Sequence, residues 1–129
     1  MIGQVIGSYQ VIRKLGEGGM GAVYEATHTT LARRAAVKVL HAEISKKPDI
    51  VARFINEAKA TNIIGHPDIV DIFELGTLPS GEVFILMEFL DGESLGQRLK
   101  RLGRLEVHEA LRIAARVATA LAAAHHKGI

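Results

Sequence analysis

Four glycines fall within six residues near the start of the chain, in the segment Gly16-Glu17-Gly18-Gly19-Met20-Gly21. A backbone without Cβ atoms can close around a phosphate chain and point N–H groups at its oxygens. By itself the G-x-G-x-x-G spacing is also compatible with a glycine-rich hairpin that binds no ligand. Downstream, Lys38 lies in the apolar segment Ala36-Val37-Lys38-Val39, where an unpaired charge is costly. The loop and this lysine are therefore the first candidates for phosphate binding.

The residues that flank the loop decide between three kinds of phosphate site. A dinucleotide-binding turn joins a wholly apolar parallel strand to a helix, but Arg13 and Lys14 precede this loop and a threonine-rich segment follows it. A Walker-type loop is excluded because no Gly-Lys-Ser/Thr closes the motif. A protein kinase flap needs strand, loop and strand, a valine two residues after the last glycine, and a lysine on the next strand. Val23 and Lys38 occupy those places.

The elements that must position these residues are strands first and helices later. Alternation predicts an antiparallel meander, a helix begins near Pro48, and Ser94 caps a short helix ending at Leu102. The order β-β-β-α-β-β-α-α predicts an α+β fold, a five-stranded antiparallel sheet with one main helix, followed by two helices. The predicted strands are 9–15, 22–28, 34–40, 70–75 and 82–89. The predicted apolar helix faces are Val51, Phe54, Ile55 and Ala58, then Val107, Ala110, Leu111, Ala114, Ala118, Leu121 and His125.

With these motifs in place, the sequence resembles the protein kinase family, in particular bacterial serine/threonine kinases of eukaryotic type. The segment from Leu15 to Tyr24 is similar to their glycine-rich flap almost residue for residue. Five further segments follow in family order over residues 9–129. They are Lys38, Asn56-Glu57-Ala58, His66-Pro67-Asp68-Ile69-Val70, Met87-Glu88-Phe89 and Ala124-His125-His126-Lys127-Gly128-Ile129.

The resemblance implies a domain arrangement and a phosphate site. Residues 9–90 correspond to the kinase N-lobe and residues 91–129 to the first helices of an incomplete C-lobe, with 1–8 as an extension. Lys38 is implied to bind the α- and β-phosphates of ATP and to form an ion pair with Glu57, about 4 Å or less between N and O. These two residues are the catalytic candidates.

The resemblance also implies an adenine site. Val23 and Ala36 resemble its apolar lining, Met87 the residue at its back, and the Glu88–Leu90 backbone the hinge that pairs with the adenine edge. Ser94 is assigned more simply as a helix cap than as a ribose contact. The implied nucleotide-binding residues are Leu15, Gly16, Glu17, Gly18, Gly19, Met20, Gly21, Val23, Ala36, Lys38, Met87, Glu88, Phe89 and Leu90.

The family's catalytic motifs are not found within residues 1–129. The His-Arg-Asp base motif, its downstream Asn and the Asp-Phe-Gly aspartate that holds Mg²⁺ have no counterpart before Ile129. We therefore expect the ATP-binding part of a longer kinase that phosphorylates protein Ser and Thr hydroxyls, with Mg²⁺ ligands elsewhere. The alternative is a non-catalytic kinase-like module for nucleotide or protein binding. An in-frame Val-His-Arg-Asp after Ile129 would distinguish the two.

Composition excludes several other classes. The 129 residues carry a net charge of +2 and no cysteine, which excludes a disulfide scaffold and a thiolate metal site and gives no nucleic-acid footprint. No apolar run approaches the roughly 20 residues of a membrane span, and we expect a cytoplasmic location.

No metal site is predicted, because the histidines lack ligand spacing. Instead, His66 is predicted to cap its helix and His125 to be packed.

Overall fold

The computed structural model describes all 129 residues. It contains six strands and four helices. The strands are β1 (Val5–Ile6), β2 (Tyr9–Glu17), β3 (Gly21–His28), β4 (Arg34–Leu40), β5 (Ile72–Thr77) and β6 (Val83–Glu88). The helices are α1 (Ala42–Ser45), α2 (Pro48–Ile64), α3 (Leu95–Leu102) and α4 (Val107–His126).

The strands form one antiparallel sheet in the order β1-β2-β3-β4-β6-β5. The predicted α+β fold is confirmed, with the glycine loop in the turn between β2 and β3. The sheet has one strand more than predicted, because Val5–Ile6 of the predicted extension pairs with β2 and buries Ile6. The predicted strand 70–75 begins later, at Ile72.

The chain divides into two compact units. The first contains Met1–Ile63 and Val70–Phe89, and the second contains Ile64–Ile69 and Leu90–Ile129. In the first unit each face of the sheet has its own apolar cluster. One includes Val11, Val37 and Leu86.

The other cluster of the first unit joins the sheet to α2. Phe54 and Ala58 are the buried residues of α2, and they pack with Leu40, Val83 and Ile85. They lie one helical turn apart, so one face of α2 is directed at the sheet. The predicted stripe is thus confirmed, with Phe54 and Ala58 buried and Val51 and Ile55 half-buried, and this packing fixes where every other α2 side chain lies.

The second unit is built around α3 and α4. Ser94 caps α3 as predicted, in a capping box in which its hydroxyl accepts from the Gln97 N–H and the Gln97 side chain accepts from the Ser94 N–H. Arg98 donates to Glu109 at 2.7 Å and so joins α3 to α4. Glu93 forms ion pairs with Arg98 and Arg101. These contacts involve polar side chains. The buried residues of α4 are Ala120 and Ala124, neither of which belongs to the apolar face predicted for this helix.

That face of α4 is exposed, with 69% of Val107 and 62% of Leu111 accessible. His125 is exposed as well, so the prediction that it is packed is wrong, because nothing within these residues covers its side of the helix. The prediction for His66 is also wrong. Its Nδ1 accepts a hydrogen bond from the Asp68 N–H at 3.0 Å, in the turn after α2, and does not cap the helix.

No helix of the structure is both long enough and apolar enough to cross a bilayer.

Candidate functional site

Three neighbouring strands bring the predicted adenine and phosphate residues to one face of the sheet. Residues directly opposite each other on antiparallel strands share a face. Val23 on β3 is opposite Lys38 on β4, and Ala36 on β4 is opposite Met87 on β6. Because Ala36 and Lys38 are two residues apart on one strand, all four side chains lie on the same face. Three of these four side chains are apolar and the fourth is the Lys38 ammonium; Glu25, which is opposite Ala36, lies on the same face.

The glycine loop contains two different kinds of glycine. A Cβ added at Gly16, Gly18 or Gly19 would meet no atom within 4 Å, whereas one at Gly21 would lie 2.1 Å from the Val39 carbonyl oxygen. Residue 21 must therefore be a glycine, because its backbone lies too close to β4 to leave room for a side chain. The other three leave open space beside the backbone, which is the space that a phosphate chain needs.

The loop is closed by its own hydrogen bond, in which the Gly18 N–H donates to the Gly21 carbonyl at 2.9 Å. No hydrogen bond within the chain uses the N–H of Gly19 or Met20. Unpaired N–H groups in a glycine turn are suited to anionic oxygens. The side chains of Leu15 and Met20 are exposed at the loop.

Glu17 at the loop is held by a local ion pair. Lys14 Nζ lies 2.6 Å from Glu17 Oε2. The hydrogen bond from Lys14 and then its charge lower the pKa of the Glu17 carboxyl. Glu17 therefore remains ionised and is turned toward Lys14, which leaves the backbone rather than its side chain as the part of the loop that suits phosphate.

Lys38 lies beside a cavity of about 250 Å³ that also reaches α2. Its Nζ is 5.6 Å from the centre of the Phe54 ring, a cation–π contact. The cavity is lined by Lys38, Phe54, Glu57, Ala58, Thr61, Val70, Ile72, Ile85 and Met87. It brings together Lys38, Glu57 and Met87, three residues that are far apart in the sequence.

The predicted ion pair between Lys38 and Glu57 is not formed. No nitrogen–oxygen distance of 4.0 Å or less joins them, and Glu57 is exposed. The cause lies in the packing of α2. Phe54 and Ala58 occupy the buried face, so Glu57 lies at the edge of that face with its side chain exposed.

At the predicted hinge, β6 ends at Glu88. The Glu88 N–H donates to the Asp71 carbonyl at 2.9 Å, and the Glu88 carboxylate accepts from the Asp71 N–H at 3.3 Å. The Glu88 N–H is therefore already engaged within the chain. The Arg34 guanidinium stacks on the Phe89 ring at 3.8 Å, and the Leu90 side chain is 63% exposed.

Two features near the site were not predicted from the sequence. Glu25 is only 8% exposed and accepts from Arg13 at 2.6 Å and from Arg34 at 2.9 Å. Burial acts to raise the pKa of Glu25, but the hydrogen bonds and charges of the two arginines outweigh it and lower the pKa. The second feature is His41, whose ring contacts the glycine loop. The partners of Glu25 and of His41 are distant from them in the sequence, so no local spacing of residues predicts these contacts.

No group of three or more His, Asp or Glu side chains is placed to hold a metal ion.

The chain matches the protein kinase domain family over residues 9–129, and it belongs to that family. It is 42% identical to the serine/threonine-protein kinase Pkn1 of Myxococcus xanthus over 129 residues, covering 100% of this chain and 18% of Pkn1. It is 39% identical to PknA of Mycobacterium tuberculosis over 127 residues, covering 95% of this chain and 30% of PknA. The similar proteins named here are bacterial serine/threonine kinases.

A solved structure shows the same fold. The M. tuberculosis PknI kinase domain superposes with a TM-score of 0.82 at 31% identity, and the match covers 100% of this chain and 52% of that one. The chain thus spans about half of a solved kinase domain and less than a third of the curated relatives named above.

Proposed function

We propose that residues 1–129 form the ATP-binding part of a serine/threonine protein kinase. The observation that carries the proposal is the shared sheet face of Val23, Ala36, Lys38 and Met87, next to a glycine loop with open space at three of its glycines. Three apolar side chains beside one cation suit a ligand that joins a flat apolar ring to a polyanion.

Each part of this face has a task in the proposed site. Val23, Ala36 and Met87 offer apolar contact to the adenine, and a backbone donor at Phe89 or Leu90 fixes the ring edge. The Lys38 ammonium binds the α- and β-phosphates. As a compact cation it neutralises their negative charge, whereas the N–H groups of the loop only orient the phosphate oxygens. Because ATP is the proposed phosphate donor, we expect this site to face the cytoplasm.

In the proposed reaction the hydroxyl oxygen of a protein Ser or Thr attacks the γ-phosphorus of ATP. The bond between that phosphorus and the β,γ-bridging oxygen breaks, ADP leaves, and the hydroxyl proton goes to a base. Mg²⁺ supplies charge neutralisation on the phosphates when it is bound. Neither its ligands nor the base is assigned to residues 1–129, so the role of these residues is to bind and orient ATP.

Glu57 completes the site in the proposed active arrangement. A shift of α2 that brings its carboxylate to Lys38 would hold the ammonium toward the phosphates. The cavity that both residues line leaves room for that shift. The structure therefore corresponds to an arrangement in which the lysine is present at the site but not yet oriented by its acidic partner.

The test is ATP binding to the 129-residue chain by isothermal titration calorimetry. Lys38→Met is expected to weaken ATP binding at least tenfold, a loss of about 1.4 kcal/mol, with little change in the melting temperature. Lys100→Met, at an exposed α3 lysine, is the matched control and should bind ATP like the wild type. Equal affinity in the two variants would contradict the assignment of Lys38.

A second assay separates binding from catalysis. The 129 residues by themselves are expected not to phosphorylate a generic protein substrate with radiolabelled ATP. Lys38→Met sets the background, and incorporation above it would show that a base and metal ligands lie within this segment after all.

The alternative, a non-catalytic nucleotide-binding module, is favoured by one observation, the unformed Lys38–Glu57 pair. In a catalytic kinase, Glu57→Gln in the full-length protein should lower kcat, whereas a module without catalysis has no such activity to lose.

A further inference from the structure

His41 is the first residue after β4, and it makes two hydrogen bonds to the glycine loop. Its backbone N–H donates to the Met20 carbonyl at 2.9 Å. Its ring Nε2 lies 2.9 Å from the Gly18 carbonyl oxygen. A carbonyl oxygen only accepts, so Nε2 carries the hydrogen in this contact.

The Gly18 carbonyl belongs to the same peptide group as the Gly19 N–H. A trans peptide is planar, and its C=O and N–H point in opposite directions. A ring that fixes the Gly18 carbonyl therefore also fixes the direction of the Gly19 N–H, away from His41. That N–H makes no hydrogen bond within the chain.

The His41 backbone acts on the next part of the loop in the same way. The Met20 carbonyl, which accepts from the His41 N–H, shares its peptide group with the Gly21 N–H. Two peptide groups of one glycine loop are thus oriented by a single residue outside it. Glycine residues have wide conformational freedom, so a loop of this composition needs such external contacts to keep one conformation.

The acidic side chain of the loop supports the contact. Glu17 Oε1 lies 3.9 Å from His41 Nε2, while Glu17 Oε2 is held by Lys14 at 2.6 Å. The carboxylate attracts the Nε2–H edge of the ring, and its anchoring by Lys14 keeps that attraction in one place.

We propose that His41 is a positioning residue for the glycine loop, whose ring holds the Gly18–Gly19 peptide so that its N–H faces a nucleotide phosphate. The proposal rests on the proposed function, because it assigns the free N–H to the phosphates of ATP. It predicts that His41 affects the binding of phosphates and not that of adenine.

The first experiment needs no nucleotide. Hydrogen–deuterium exchange on the ligand-free 129-residue chain should show faster exchange in a peptide covering residues 16–22 for His41→Ala. His41→Gln, whose side-chain amide is also a donor, should restore slow exchange in part. His126→Ala, at an exposed histidine of α4, is the control. Unchanged exchange in His41→Ala would overturn the proposal.

The second experiment compares ATP with adenosine, which lacks phosphates. A loop that spends most of its time in other conformations lowers the apparent affinity by the competent fraction. His41→Ala is expected to raise the Kd for ATP about tenfold, equivalent to about 1.4 kcal/mol, and to leave the Kd for adenosine, measured by competition, within about twofold.

The outcomes distinguish a failure of the inference about His41 from a failure of the proposed function. An equal loss of ATP and adenosine binding would mean that His41 only supports the fold, and an unchanged Kd for ATP would mean that it does not position the loop for phosphate. Either result overturns the inference and leaves the proposed function standing. A wild-type chain that binds no ATP would refute the proposed function, and the phosphate role of His41 with it, while the exchange experiment still decides whether His41 holds the loop.

Discussion

Gly21 is the loop glycine that the sheet itself requires, and its replacement by alanine should destabilise the fold. A Cβ on Gly21 would lie 2.1 Å from the Val39 carbonyl oxygen and 2.9 Å from the Leu40 Cα. Both atoms belong to the backbone of β4, to which β3 is paired, so neither can rotate away. To reach a 3.0 Å contact, the strands must separate locally by about 1 Å from a normal spacing of about 4.8 Å.

The expected cost follows from this geometry. Overpacking costs about 1–3 kcal/mol when side chains can adjust, and here only backbone can move, so we expect about 3 kcal/mol for Gly21→Ala. In a domain of this size, 1 kcal/mol corresponds to about 4 °C in Tm. Gly21→Ala should therefore melt about 12 °C below the wild type.

The matched control is Gly19→Ala in the same loop, where the added Cβ meets no atom within 4 Å. Its stability should stay within about 0.5 kcal/mol of the wild type. Thermal and urea unfolding followed by far-UV circular dichroism measure both variants. The distinction between the two kinds of glycine would be refuted if Gly21→Ala had the same Tm as the wild type, or if both variants were destabilised equally.

Three further predictions concern stability and association. The pKa of Glu25 is lowered in the folded chain, so its stabilisation is present above the unfolded-state pKa and is lost as pH falls through the folded-state value. Glu25→Gln should flatten the fall in unfolding free energy below about pH 4.5, and an unchanged pH slope in urea titrations would contradict this. Ser94→Ala removes the capping box and should cost about 1 kcal/mol, with faster amide exchange in the first turn of α3; unaltered exchange would count against the cap. Leu111→Gln combined with Leu121→Gln should reduce self-association of the 129-residue chain, since exposed apolar surface promotes association, and identical sedimentation profiles would argue otherwise.

Local sequence was sufficient for the features that depend on neighbouring residues. Residues 34–40 were predicted to form a strand, and this puts Ala36 and Lys38 on one face, because side chains of a strand alternate with a period of two. Ser94 was predicted to cap α3, and the structure contains that cap, in a capping box with Gln97. The order of elements led to five of the six strands and three of the four helices, because each of these was predicted from its own residues; β1 and the short α1 were not predicted.

Tertiary packing decided the features that join distant segments. The two residues of β1 carry no periodic pattern and become a strand only because β2 offers an edge. The sequence predicted that Glu57 would pair with Lys38, but the distance between them depends on how Phe54 and Ala58 pack against Leu40 and Ile85, and that packing is a property of the whole unit.

The same reason explains the two features that the sequence did not reveal. Glu25 meets its arginines, and His41 meets Gly18, across strand pairs and loops 9 to 23 residues apart. A charge or a ring in a single sequence carries no information about which backbone it will face, because that depends on strand register and on the turn that closes the loop. The sequence by itself therefore determined which residues of this kinase-family chain we propose for nucleotide binding, and only the tertiary structure decided which of them are held in position and by what.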